Sequence, residues 1–191
     1  MKLIEFSKIS EKDYVEIGNI LKSNGIILYP TETIYGIGGK AFEKEVVKKI
    51  VLLKKRDIAK QFILLFKDLS MLEKFVEISP LEREIINKYW PGKLTIILKS
   101  KNNDEELACR ISSHPFIVKL FDYIDFPLIS TSANISNEEY SGKINDILKK
   151  FKNKVDVFIS DKDLTNNIPS TIIKIVNGEI SILRQGVLKI E

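Results

Sequence analysis

The residues with most chemistry to offer lie in one stretch, Tyr29-Pro30-Thr31-Glu32-Thr33-Ile34-Tyr35-Gly36-Ile37-Gly38-Gly39. It follows Ile26-Ile27-Leu28, which reads as a buried strand. The stretch itself is too polar for a core strand and too rich in glycine for a helix. Proline would fix the exit from the strand, and Gly36 and Gly38 would let the backbone turn beneath a ligand. Hydroxyls, a carboxylate and aromatics at a strand end are what a ligand site in an α/β protein requires.

Other segments offer polar groups of a complementary kind. Lys54-Lys55-Arg56 closes a helical pattern. It is either favourable charge at a helix C-terminus or an anion clamp for phosphate or carboxylate. Ser130-Thr131-Ser132-Ala133-Asn134 carries more hydrogen-bonding side chains than a turn needs, although capping accounts for one or two of them. Arg110 interrupts the apolar run 107–111, so it needs a solvated face or an anionic partner. Pro169-Ser170-Thr171, Arg184 and Gly186 bracket a C-terminal hairpin.

Several mechanisms are excluded by what is missing. The single cysteine, Cys109, and single histidine, His114, leave no thiolate metal cluster and no paired-histidine site. Cys109 lies in an apolar run and reads as a core residue. Gly36-Ile37-Gly38-Gly39-Lys40 lacks both the P-loop spacing and the dinucleotide fingerprint. There is no Gly-x-Ser-x-Gly elbow to supply a serine triad. What is left is a site of hydroxyls, amides and fixed cations. Such a site suits a reaction driven by ATP, in which the protein positions reactants and stabilises phosphate charge.

The elements that must position these groups follow from periodicity. Ser10-Glu11-Lys12-Asp13 opens a helix with Tyr14, Ile17 and Leu21 on one face, closed by Gly25. Residues 26–29 form a strand, and residues 43–53 a helix with Val47, Ile50 and Val51 inward. Residues 62–66 are a buried strand. Ser79-Pro80-Leu81-Glu82 is a strong helix start, and Trp90-Pro91-Gly92 a stop. Strands are expected at 94–99 and 107–111, with 101–106 as an exposed loop between them. A helix over 116–124, a strand over 128–130, a helix around Ile144, Ile147, Leu148 and Phe151, and a strand over 155–159 follow. Asn177-Gly178 closes a hairpin between 171–176 and 179–183. Alternating strands and helices ending in a hairpin predict an α/β fold with a twisted mixed sheet.

The chain of 191 residues suits a single domain spanning 1–191. Thirty basic and 26 acidic side chains leave a net charge of +4, too small an excess to demand a nucleic-acid partner. No apolar run is long enough to span a membrane, and Met1-Lys2-Leu3-Ile4-Glu5 is not a secretory signal, so a cytoplasmic location is expected.

Taken in order, these segments resemble the YrdC-like family of threonylcarbamoyl-AMP synthases. Residues 30–38 resemble its Pro-Thr-(Asp/Glu)-Thr-x-Tyr-Gly-Leu-Gly signature, and Lys54-Lys55-Arg56 its Lys-x-Arg element. Pro91 to Thr95 resembles its Pro-Gly-x-x-Thr turn, Arg110 to Pro115 its Arg-x-Pro-x-His-Pro segment, and Ser132-Ala133-Asn134 its Ser-x-Asn element. Pro169-Ser170-Thr171 and Leu183-Arg184-Gln185-Gly186 fit the closing motifs. Each match is weak alone, but their common order is specific. Asp57, Ser112 and Asn137 depart from the family's usual proline, proline and glycine.

The resemblance implies a sheet curved around a basic cavity. It also implies a reaction: L-threonine, bicarbonate and ATP, with Mg²⁺ carried on the phosphates, give threonylcarbamoyl-adenylate and pyrophosphate. The product would pass to a downstream threonylcarbamoyl-transferase complex that modifies tRNA. On this reading Thr31, Thr33 and Ser170 contact threonine. Lys54, Arg56, Ser132, Asn134, Ser141 and Arg184 hold ATP, with Lys54 and Arg56 as the catalytic cations. Arg110 and His114 line the join between the two substrates, and Glu32 is structural. The chain ends at Glu191, without the extra C-terminal domain of longer relatives. Two alternatives share the fold: a non-catalytic module that binds tRNA or double-stranded RNA, and a carbamoyl-transfer domain of hydrogenase maturation. The latter normally belongs to a longer, cysteine-rich chain.

Overall fold

The structure, a computed structural model, describes residues 1–57 and 60–190, and Glu191 lies outside them. The chain begins with strand β1 (Lys2–Glu5), a 3₁₀ turn (Phe6–Lys8) and helix α1 (Glu11–Lys22). Then come β2 (Ile27–Tyr29), β3 (Gly36–Gly38), α2 (Lys44–Lys54), β4 (Ile63–Phe66) and the short α3 (Leu69–Leu72). Helix α4 (Pro80–Tyr89), β5 (Leu94–Lys99), β6 (Glu106–Ile111), α5 (Pro115–Leu120) and β7 (Leu128–Ser132) follow. Helix α6 (Ile144–Phe151), β8 (Val157–Ser160) and the hairpin of β9 (Thr171–Val176) and β10 (Glu179–Arg184) complete it.

The strands form one mixed, ten-stranded sheet in the order β1-β8-β2-β3-β7-β4-β6-β5-β9-β10. The helix starts read from sequence are present. Ser10 with Asp13, and Ser79 with Glu82, each form a reciprocal capping box that satisfies helix N-terminal donors. Asn177 and Gly178 take positive φ angles of 53° and 81°, as a tight hairpin turn demands.

Period-two alternation divides the strands between two cores. Leu28, Ile37, Leu64, Phe66, Cys109 and Ile111 face one core, which α2, α4 and α6 cover through Val46, Ile50, Ile85, Ile86, Ile147 and Phe151. Ile27, Tyr29, Leu65, Leu128 and Val157 face the other, covered by α1 and α5 through Ile17, Leu21, Phe116 and Leu120. On this second face the sheet turns polar beyond Leu65 and Leu128, and there the candidate site lies.

Three expectations need correction. The glycine segment is not a loop turning under a ligand. Gly36 to Gly38 is strand β3, paired with β2 and β7, and neither glycine has a positive φ. Glycine is required by packing instead: a Cβ on Gly38 would stand 2.0 Å from the Ile129 carbonyl oxygen. The strand after Pro127 does not stop at Ser130. It runs to Ser132, because Thr131 and Ser132 pair with Ile37 and Gly36. Helix α2 buries Val46, Ile50 and Lys54, one residue per turn, whereas Val47 and Val51 are only half-buried.

Candidate functional site

A cavity of about 200 Å³ opens on the polar part of the second face, and no helical residue lines it. Its floor is strand. Gly36 pairs with Ser132, Ser130 with Ile63, and Arg110 with Leu65, so alternate residues of β3, β7, β4 and β6 lie side by side. Its walls are Thr31, Thr33, Ile34 and Tyr35, Arg56 with Gln61 and Phe62, and Pro169-Ser170 with Ile172 and Arg184. Segments distant in sequence thus converge on one space. Of the sequence-predicted site residues, the structure brings Thr31, Thr33, Arg56, Arg110, Ser132, Ser170 and Arg184 to this lining.

Thr31 lines the cavity, but its hydroxyl is used within the protein. Oγ1 donates to the Ile34 carbonyl at 2.7 Å and accepts from the Thr33 and Ile34 amides. Its proton is therefore committed to holding the turn after β2. Thr33 Oγ1 accepts from Arg110 Nη1 at 3.2 Å and lies 2.9 Å from Thr31 Oγ1. Asn167 reaches over to bond the Thr33 carbonyl.

Arg110 is buried and held from several directions. Nε donates to the Gly92 carbonyl at 2.8 Å, and Nη2 lies 3.0 Å from Glu32 Oε1. That second contact is an ion pair without hydrogen-bond alignment, and Nη2 has no hydrogen-bond partner among the described residues. Glu32 also accepts from Ser112 Oγ at 2.6 Å and from the Ser113 amide at 3.0 Å. Burial disfavours the charged carboxylate, but Arg110 and these donors outweigh it, and its pKa falls below the ordinary value. Glu32 is the anionic partner that the arginine inside β6 required, and Ser112 supplies a donor where the family usually has proline.

Arg56 and Arg184 bring further positive charge. Arg56 stacks on Phe62 with its guanidinium carbon 4.9 Å from the ring centre, and Nη2 donates to the Gln61 carbonyl at 2.8 Å. Its buried Nε has no hydrogen-bond partner among the described residues. A buried charged donor without a partner is costly unless a ligand supplies the acceptor. Arg184 donates twice to the Ser170 carbonyl, at 3.1 and 2.8 Å, and once to Ser170 Oγ at 3.1 Å. Burial and the nearby Arg110 charge both lower the Arg184 pKa.

Lys54, Asn134, Ser141 and His114 are outside the lining. The Lys54 ammonium is buried at the end of α2 and donates to the Ser132 carbonyl, and to the Asn134 carbonyl at 2.5 Å. It ties the helix to the turn after β7 through protein acceptors. Burial, and then the Arg56 charge, push its pKa down to about 7. Ser132 Oγ donates to Asn134 Oδ1 at 2.6 Å, and Asn134 Nδ2 to the Glu138 carbonyl at 2.7 Å. Ser141 Oγ accepts from the Lys143 amide, just before Gly142. His114 caps α5, its Nδ1 accepting from the Phe116 amide at 3.2 Å, and its ring packs on Phe6. Burial lowers its pKa, so the ring is neutral near pH 7.

Ser130 and Pro169 line the cavity within segments the sequence marked, although neither was given a substrate contact, and Gln61 lines it unmarked. Ser130 was findable: it shares a strand face with Leu128 and Ser132. Gln61 had no signal beyond preceding an apolar strand. Among the described residues no group of three His, Cys, Asp or Glu side chains could hold a metal, and no helix is long and apolar enough to cross a membrane.

Comparison with known proteins adds an independent line. Residues 19–186 match the family Sua5, YciO and YrdC, described as telomere recombination. A Methanocaldococcus jannaschii protein assigned as a threonylcarbamoyl-AMP synthase is 34% identical over 200 residues, covering all of this chain and 95% of that relative. A threonylcarbamoyl-AMP synthase of Psychromonas ingrahamii is 37% identical over 144 residues, 70% of this chain and 75% of that protein. Among solved structures, P. abyssi Sua5 complexed with L-threonine aligns over 97% of this chain with a TM-score of 0.86 and 25% identity. This chain spans 57% of that one's length. E. coli YciO aligns with a TM-score of 0.85 over 97% of this chain and 95% of its own, at 22% identity, and supports the fold alone.

Proposed function

Because the chain belongs to the Sua5, YciO and YrdC family, we propose that it is a threonylcarbamoyl-AMP synthase. The enzyme is a transferase that takes L-threonine, bicarbonate and ATP to threonylcarbamoyl-adenylate and pyrophosphate. The observation that carries this reading is the convergence of Arg56, Arg110 and Arg184 with the hydroxyls of Thr33, Ser130, Ser132 and Ser170 on one cavity. The charge suits an anionic, phosphorylated substrate, and the hydroxyls suit an amino acid beside it.

The chemistry is nucleotidyl transfer. The threonine nitrogen attacks the carbon of bicarbonate and water leaves, giving an N-carboxylate. A carboxylate oxygen then attacks the α-phosphorus of ATP, and the bond to the β-phosphate bridging oxygen breaks to release pyrophosphate. No protein nucleophile takes part. Arg56, stacked on Phe62 and with Nε unpartnered among the described residues, neutralises charge building on the departing phosphates. Mg²⁺ enters on the ATP phosphates as part of that substrate. Arg110, locked by Glu32, and Ser170 lie on the amino-acid side. Lys54 acts by holding the Ser132–Asn134 turn against the nucleotide. The reaction belongs to the cytoplasm, and its product serves a downstream transferase that modifies tRNA.

The test is pyrophosphate release from ATP, with threonine and bicarbonate each omitted in turn. The proposal expects release only when both are present. Release independent of both would overturn it. Salt-dependent binding of double-stranded RNA without turnover would favour a non-catalytic module instead.

A further inference from the structure

Thr95 lies on the cavity side of β5, beside Ile172 of β9, and is fully buried. Its Oγ1 is 2.9 Å from Ser170 Oγ, the one partner recorded for that hydroxyl among the described residues. A buried hydroxyl proton must be donated somewhere, because leaving it unpaired in a dry environment is costly. Among the described residues the acceptor within reach of the Thr95 proton is therefore Ser170 Oγ.

Ser170 Oγ also accepts from Arg184 Nη2 at 3.1 Å. A hydroxyl oxygen has two lone pairs and one proton. Thr95 and Arg184 occupy both lone pairs, so the Ser170 proton is left without an acceptor among the described residues. Ser170 is on the cavity wall, and the remaining direction for that proton is the cavity. Thr31 is different, since its proton is already given to the Ile34 carbonyl.

We propose that Thr95 is a positioning residue that fixes Ser170 as an obligate hydrogen-bond donor to the carboxylate of the amino-acid substrate. The inference rests on the synthase reading for the identity of that substrate. Arg184 bonds Ser170 directly and Arg110 lines the same cavity, which suits an anionic acceptor there. Thr95 touches no substrate and acts through the proton direction it imposes. Without the Thr95 proton, one lone pair of Ser170 Oγ is freed, its own proton can rotate away from the substrate, and the donor becomes one orientation among several.

The experiment compares wild type with Thr95→Val and Thr95→Ser in steady-state pyrophosphate release. Valine keeps the shape and removes the donor; serine keeps the donor. Thr95→Val is expected to raise KM for threonine about tenfold, the effect of one hydrogen bond to a charged group, while KM for ATP stays within about twofold. Thr95→Ser is expected to restore KM for threonine. In a Ser170→Ala background the valine substitution should have no further effect on KM for threonine. Equal KM values for threonine in wild type and Thr95→Val would overturn the proposal. So would a parallel rise in both KM values, additivity with Ser170→Ala, or failure of serine to rescue. Thr95→Ala is read the same way if the valine protein does not fold. Wild-type turnover that ignores threonine would instead remove the synthase reading, a result distinct from these.

Discussion

Glu32→Gln is the substitution that probes the site's framework most directly. The carboxylate faces Arg110 Nη2 at 3.0 Å and accepts from Ser112 Oγ and the Ser113 amide. Both side chains of the ion pair are nearly buried, at 6% and 11% exposure, so solvent screens the pair little. Glutamine keeps the size and one acceptor but removes the charge. Arg110 is then a buried cation without a counter-ion. Breaking a buried pair from one side costs about 3–5 kcal/mol, and the retained amide oxygen places the expected loss near the lower end, about 3 kcal/mol. For a chain of this length that is about 6–12 °C in Tm. Acid should have the same effect on wild type. The folded pKa of Glu32 is lowered, so its stabilisation is present above its unfolded value of about 4.5 and is lost as pH falls below it. Equilibrium urea unfolding between pH 3 and 7 reads both effects. The variant should be less stable at neutral pH and lose less on acidification. A neutral-pH difference under about 1 kcal/mol, or parallel acid curves, would refute the role given to Glu32.

Two further substitutions separate holding from binding. Arg56→Ala should lower pyrophosphate release about 100-fold or more while unfolding within about 1 kcal/mol of wild type, because its Nε, unpartnered among the described residues, serves a ligand rather than the fold. A stability loss as large as that of Glu32→Gln would contradict this. Lys54→Met should remove the ammonium that the Ser132 and Asn134 carbonyls share, leave the Ser132 carbonyl with the Asn134 amide, raise KM for ATP and change the pH dependence of stability. The lysine pKa falls from 10.5 to about 7 on folding, so the unfolded chain binds more protons between these values. Wild-type stability should rise with pH across that window, by up to about 1.4 kcal/mol per pH unit from this group. The methionine variant should lack the rise, and an unchanged slope by chemical denaturation would count against it.

The sequence by itself determined the helix starts, the closing hairpin and the fold class. Capping boxes at Ser10 and Ser79 and the Asn177-Gly178 turn are local, so nearby residues alone decide them. It also named most of the cavity, since ordered motifs marked Arg56, Arg110, Ser170 and Arg184 before any were seen together. What it left open was which way each polar group faces. Gly36 and Gly38 read as a flexible turn but are a packed strand, because the crowding comes from Tyr29 and Ile129. Lys54 read as a phosphate clamp but falls on the buried face of α2, a turn beyond Ile50, where Ser132 and Asn134 at a distant strand end supply its acceptors. Glu32 finds Arg110 and Ser112, and Thr95 finds Ser170, across 75 or more residues of chain. Such pairings depend on strand order and register, which ten strands can arrange in many ways. Tertiary structure alone decided them, and with them which hydroxyls and cations are free to meet a substrate.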